Sequence, residues 1–290
     1  MIMARKDSNV GEPGKRLVAV VTPVVKFPLS ADEEISLRHL RKYLGEFDRY
    51  LIGMDKLPAE LSDFRLCSLP LRHFKEHSTY SRLLLNKKFY RAFAEYEYIL
   101  IYQLDCLVFA NNLEDFCRKG WDYVGAPWLK DTGDPQQGFS EVGNGGLSLR
   151  RVQRALEVLN SKQPWEDPTT RGSRLGRRSE KIYERLRSWP QLKRTAAAGR
   201  IFLHRLGYRN NVRWLTRKWA NDKRYEDVFW AQEAGKFVKE FLIPGVPEAL
   251  EFSFEMAPRY CLAMNDGRMP FGCHAWARYD RGFWEPFLLK

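Results

Sequence analysis

The first strongly patterned stretch is "RLVAVVTPVV" (16–25), an apolar, β-branched run that predicts a buried first strand. The period then changes. In "SADEEISLRHLRKYL" (30–44), Ile35, Leu37, Leu40 and Leu44 fall on a mostly helical stripe. Ser30 offers a cap, Glu33 stands three residues on, and acids fill the first turn. "DRYLIGMD" (48–55) and "DFRLCSLP" (63–70) predict a second and a third strand. "STYSRLLLNKKFYRAF" (78–93) predicts one helix, and "YEYILIYQLDCLVF" (96–109) one long strand. "NLEDFCRKG" (112–120) reads as a short helix stopped at Gly120. "WDYVGAPW" (121–128) is strand then turn, and "KDTGDPQQGFSEVGNGG" (130–146) a glycine-rich loop. "LSLRRVQRALEVL" (147–159) runs from strand into helix, and "YEDVFWAQEAGKFV" (225–238) is a helix opening on two acids. Alternating strands and helices predict an α/β fold with a mostly parallel central sheet flanked by helices. Ligands in such folds bind at the carboxyl ends of strands. Asp105, a carboxylate in an otherwise apolar run, falls where the long central strand would finish.

Composition sets the scale. With 290 residues, 44% hydrophobic and 14% aromatic, the chain can build one sizeable core and is unlike a disordered polypeptide. We read a polar, disordered tail over 1–15 and a single domain over 16–290. The five cysteines are scattered without a CxxC pair, which argues against a zinc ribbon or a disulfide framework and for reduced thiols in the cytosol. The first 16 residues lack the apolar core of a secretory signal, and the apolar run after them is too short to span a bilayer. A cytoplasmic protein, soluble or peripheral on a membrane surface, is the expectation.

The charge changes this picture. The formal net charge is +12. Residues 150–224 alone hold 21 Lys+Arg against 6 Asp+Glu, a net of +15, and the remainder is −3. Within this stretch, about 160–222 reads as a basic helical insertion, with Trp165, Trp189, Trp214 and Trp219 spread among the arginines. Such a patch attracts phosphate-bearing or acidic partners, for example the pyrophosphate of a lipid-linked acceptor or an anionic membrane. A solvated helical face would give the same count. On composition alone the segment also fits a nucleic-acid binder working through phosphates and stacking.

Four stretches hold the candidate chemistry: "YQLDCLVF", "EVGNGGLSLR", "YEDVFW" and "PFGCHAW" (270–276). Singly each has an ordinary role. An Asp at a strand end is a cap, Gly-Asn-Gly-Gly is a turn, two acids at a helix start complement its dipole, and a His among aromatics is a core residue. Together with "GAPW", and in this order, they resemble the DUF5672 group, read as glycosyltransferases with a GT-A-like (Rossmann-like) nucleotide-diphospho-sugar transferase fold. The resemblance covers roughly 80–150 and 224–277 and does not extend to the basic segment.

That resemblance implies a sugar transfer from a nucleotide-diphosphate donor to a saccharide or lipid-linked acceptor hydroxyl, with inversion, as in polysaccharide biosynthesis. It implies a strand-end acid that holds Mn²⁺ or Mg²⁺. Here the segment is "QLD", so Gln103 stands where a first acid would and Asp105 is the principal acidic ligand. His274 is the implied second ligand. Asp227 is implied as the base, with Glu226 as the alternative base or an acceptor contact. Gly143, Asn144, Gly145 and Gly146 would line the donor sugar, with Arg150 or Arg151 reaching the diphosphate. Trp128 and Trp230 would stack on sugar rings. Since the first acid is missing, a nucleotide-sugar-binding module without turnover is also allowed.

Overall fold

The computed structural model describes residues 14–166 and 209–289. The expected tail up to residue 13 and the middle of the expected basic insertion therefore lie outside the described residues. Among them, β1 (Arg16–Pro23) is followed by α1 (Ala31–Leu44), β2 (Asp48–Ile52) and β3 (Arg65–Leu66). Ser30 and Glu33 form the reciprocal cap expected of α1: the Glu33 N–H donates to the serine Oγ, and the Ser30 N–H to Glu33 Oε2. The single helix predicted over 78–93 is two, α2 (His77–Leu84) and α3 (Lys87–Arg91). Asn86 divides them, because its side chain accepts from the Lys88 N–H at 3.0 Å and starts a new helix.

The long strand predicted over 96–109 is also two. β4 (Tyr96–Tyr102) ends before Gln103, and β5 (Leu107–Val108) belongs to a different sheet. The chain continues through α4 (Leu113–Arg118), β6 (Tyr123–Val124) and β7 (Pro127–Leu129). Gly120, with φ of 77°, ends the α4 segment as expected. Part of the predicted glycine-rich loop is strand β8 (Phe139–Val142), paired with β7. Next come β9 (Leu147–Arg151), α5 (Val152–Asn160), α6 (Val212–Asn221) and α7 (Glu226–Gln232). The chain ends with α8 (Val246–Phe252), β10 (Ser253–Phe254), α9 (Pro258–Met264), β11 (Gly272–Cys273) and α10 (Arg281–Trp284). None of the described helices is long and apolar enough to cross a membrane.

The main sheet has six strands in the order β3-β2-β1-β4-β9-β6. It is mixed, which corrects the expectation of a mostly parallel sheet. The four strands β3, β2, β1 and β4 are parallel, whereas β9 runs antiparallel to both β4 and β6. Alternation along β1 feeds two cores. Val18 and Val20 face the layer of α1 and α4, and Ala19 and Val21 face the layer of α2, α3, α5, α6 and α7. Near-continuous apolar strands are what a sheet covered on both faces requires.

The antiparallel turn of β9 matters for the site. Tyr102, the last residue of β4, lies opposite Leu147, the first of β9. The glycine-rich segment before β9 is thereby delivered to the carboxyl edge of β4, beside Gln103–Asp105. A parallel β9 would have placed it at the other end of the sheet.

Candidate functional site

A small three-stranded sheet, β10-β11-β5, completes this edge. Cys273 pairs with Leu107 antiparallel, and Phe254 pairs with Cys273 in parallel. His274 and Glu255 each follow their paired residue by one, so both are set beside the turn that carries Asp105. A cleft of about 440 Å³ opens here. Its walls include Gln103, Asp105, Trp128, Asn144, Gly145 and Gly146 on one side, and Tyr225, Glu226 and Asp227 at the start of α7.

One wall is a polar relay. Gly146 N–H donates to Asn144 Oδ1 (3.0 Å), Asn144 Nδ2 donates to Glu255 Oε1 (2.7 Å), and His274 Nδ1 donates to the same oxygen (3.0 Å). His274 Nε2 then lies 3.4 Å from Asp105 Oδ1. Burial disfavours charge on His274, but hydrogen bonds and attraction from Asp105 and Glu255 outweigh it and raise its pKa to about 10. Burial likewise pushes Asp105 upward, and His274 outweighs it, so the Asp105 carboxyl sits below its ordinary value. Ala275, directly after His274, adopts the left-handed region (φ 53°), which turns the chain just after the imidazole.

The donor set suits a divalent cation in kind. Asp105 Oδ1 is enclosed, and His274 Nε2 meets it only at a long 3.4 Å. The nearest imidazole nitrogen has its ring oriented by a carboxylate on the far side, as metal-ligating histidines usually are. Asp105 and His274 would be the two protein donors, the imidazole giving up its Nε2 proton to a bound cation. Among the described residues no group of three or more His, Cys, Asp or Glu side chains is placed to hold a metal.

Glycine 146 is required by this geometry. A Cβ there would sit 2.1 Å from His274 Nε2. Gly146→Ala is therefore expected to displace the imidazole, with the 1–3 kcal/mol loss of stability usual for overpacking. Any Mn²⁺-dependent rise in melting temperature should vanish with it. An unchanged Mn²⁺ response in this variant would show that the His274 position is immaterial.

The other wall carries Asp227 in the first turn of α7. Its Oδ2 accepts from the Gly145 N–H at 3.2 Å and its Oδ1 from the Val228 N–H at 2.8 Å. Burial first, and then the neighbouring charge of Glu226, raise its pKa to about 7. Glu226 is differently placed. Its two oxygens take a fork from Arg150, Nη1 to Oε2 at 2.9 Å and Nη2 to Oε1 at 2.8 Å, with both side chains buried. Arg150 also donates to Ser148 Oγ and the Tyr90 hydroxyl. Burial opposes its charge, and Glu226 more than restores it.

These positions revise several expectations. Arg150 is not a free hand for diphosphate; it is 1% exposed and clamped to Glu226. Arg151 pairs with Glu97 at 3.0 Å. Glu226 borders the cleft but is held by the guanidinium, so it is poorly placed as a base. Both ends of the Asn144 carboxamide are engaged within the protein, leaving it a positioning role. Gly143 packs against Tyr123, Trp128 and Ala231 away from the cleft. Trp230 is 1% exposed in the core against Tyr90, Phe229 and Phe241, where it cannot stack on a ligand. Trp128, by contrast, does line the cleft.

Other residues complete the cleft that the motifs alone did not indicate. Glu255 was visible only as the one charge in "FSFEMA". Arg278 lines the cleft over the Tyr279 ring at 5.2 Å. Tyr225 is 57% exposed at the mouth and meets His77 edge-on at 4.5 Å, so it offers the open aromatic face that Trp230 does not. Position before a helix, rather than any motif, is the signal for Tyr225.

No curated protein matches the chain. A family model does, that of DUF5672, a protein of unknown function, over residues 63–274. The matched span runs from just before β3 to His274 and includes Asp105, Gly145, Gly146, Asp227 and Glu255. It covers most of the chain, and the protein belongs to the DUF5672 family.

Proposed function

We propose that this protein is a glycosyltransferase of GT-A-like fold that moves a sugar from a nucleotide-diphosphate donor to an acceptor hydroxyl, with inversion. The observation that carries this reading is the pairing of two unlike walls in one cleft. Asp227 is a half-buried acid whose pKa, about 7, suits proton abstraction near neutrality. Facing the same cavity are an enclosed carboxylate oxygen and an oriented imidazole, of the kind that hold a diphosphate-bound cation.

Asp227 takes the proton of the acceptor hydroxyl as that oxygen bonds to the anomeric carbon. The bond from that carbon to the diphosphate oxygen breaks, and the nucleoside diphosphate leaves. Bound Mn²⁺ or Mg²⁺, on Asp105 and His274, would supply charge neutralisation for the leaving diphosphate. Arg278 adds a guanidinium to the same cleft. Gly145 and Gly146 let the donor sugar approach the backbone closely, and Trp128 and Tyr225 offer faces for stacking. Nucleotide sugar is the proposed donor partner, and a saccharide or lipid-linked molecule the acceptor. A cytoplasmic location, with peripheral contact at an anionic membrane, belongs to the same proposal.

The test is thermal shift against a panel of nucleotides and nucleotide sugars, with and without Mn²⁺ or Mg²⁺. A ligand present at 100 times its Kd stabilises the folded state by about 2.7 kcal/mol. We expect a cation-dependent rise with one class of nucleoside diphosphate and its sugars, and product formation when acceptor glycans are added. A rise without product would mark a binding module that does not turn over. No rise with any nucleotide would reject the proposal.

A further inference from the structure

A second cleft lies near the far side of α2. His77, Tyr80 and Ser81 of that helix border the first cleft, and Arg82 borders the second. This cavity measures about 640 Å³ and is walled by α2, the start of α3, the end of α5 and one face of α6. Four cations line it: Arg82 and Lys87 from α2 and α3, Arg213 and Arg217 from α6. Among the described residues no acidic side chain lines it.

Among the described residues, the side-chain hydrogen-bond partners of these cations are uncharged. Arg82 donates to Asn221 Oδ1 at 3.1 Å and Lys87 to Asn160 Oδ1 at 3.3 Å, both uncharged carboxamides. Arg213 and Arg217 stand four residues apart on α6, a spacing at which like charges repel. Among the described residues, no acid lies within ion-pair distance of any of the four. An arrangement that holds four positive charges around a concavity is stabilised by whatever anion enters it.

The charge count selects the anion. A phosphoryl group carries about −1.5 to −2 near neutrality, so two of them balance four cations. Arginine is suited to phosphate oxygens through its planar fork. A flat bilayer would meet only the rim of a concavity, and an extended polyanion needs a stripe rather than a pocket. Leu85 and Leu159 add apolar wall beside the charges, room for an uncharged part of the ligand. We infer that this second cleft binds a compact molecule bearing a diphosphate or two phosphate groups, at a site separate from the Asp105–Asp227 cleft.

The inference stands apart from the transferase reading and is tested without activity. Inorganic pyrophosphate is titrated into the full chain by calorimetry, for the natural protein and for Arg213→Gln/Arg217→Gln. Both positions are exposed, and the variant's melting temperature is compared to confirm folding. Loss of two charge-assisted contacts should weaken pyrophosphate binding by about tenfold or more. Arg82→Gln/Lys87→Gln, from the opposite wall, should reproduce the loss. Because pyrophosphate can also enter the first cleft, Arg278→Gln serves as the control that leaves the second cleft intact. Undiminished pyrophosphate affinity in both double variants would overturn the inference. So would Arg213- and Arg217-dependent binding of single-stranded oligonucleotide, or of phosphatidylglycerol vesicles, that pyrophosphate fails to displace. Displacement of the vesicles by pyrophosphate would instead place the same phosphate chemistry on a lipid headgroup.

Discussion

Asp227→Asn should abolish most of the proposed sugar transfer, by about 10²–10⁴-fold, the range that a positioned general base contributes. The asparagine is nearly isosteric but cannot take the acceptor proton. The wild-type pH profile should carry the same residue's signature. Its pKa of about 7 means that the base is protonated below neutrality. The rate should rise about tenfold per pH unit below 7 and level off above it. Stability should move the opposite way. The carboxyl binds its proton more tightly folded than at its ordinary value of 3.8. Stability therefore falls as pH climbs from about 4 to 7, and the cost of an ionised Asp227 is complete above that window. The asparagine removes that cost while losing one of the two backbone hydrogen bonds that the carboxylate accepts. At pH 8 the inactive variant should accordingly melt no lower than the natural protein. Full activity in Asp227→Asn would remove the base assignment, whatever the melting curves show.

Arg150→Met should be the most damaging single substitution for stability. It leaves Glu226 buried without its counter-charge, and breaking one side of a buried ion pair usually loses about 3–5 kcal/mol. The same change also leaves the Ser148 and Tyr90 hydroxyls without the guanidinium. For a chain of this size the melting temperature should drop by roughly 10 °C. The double variant Arg150→Met/Glu226→Leu should recover much of that, since replacing both partners removes the stranded charge. Calorimetric melting of the three proteins checks this. A drop in the double variant as large as in Arg150→Met alone would mean that packing, rather than charge, sets the loss. The pair also bears on Asp227. The Glu226 charge pushes its carboxyl up and the Arg150 charge pulls it down, so the double variant tests how far they cancel.

Local sequence determined much of this protein. The β-branched run at 16–25 became β1, Ser30 and Glu33 capped α1 through contacts three residues apart, and Gly120 ended the α4 segment. Asp227 at a helix start and Asp105 after an apolar strand could be singled out because both are charges next to strongly apolar neighbours. Those signals are short-range, carried by propensity, capping and period. What separated 96–102 from 107–108 was not local. Both pieces are equally apolar, and only their partners, β1 and β9 for one and β11 for the other, send them to different sheets. Strand direction was likewise undetermined, because an apolar strand buried on both faces reads alike in either orientation. Tertiary structure alone decided that β9 runs backward and so brings Gly145 and Gly146 to Asp105. It also decided that Arg150 meets Glu226 across 76 residues, that Glu255 orients His274, and that Trp230 belongs to the core. Each of these is a pairing between residues far apart in the chain, and such pairings leave no trace in the composition or period of either segment taken by itself.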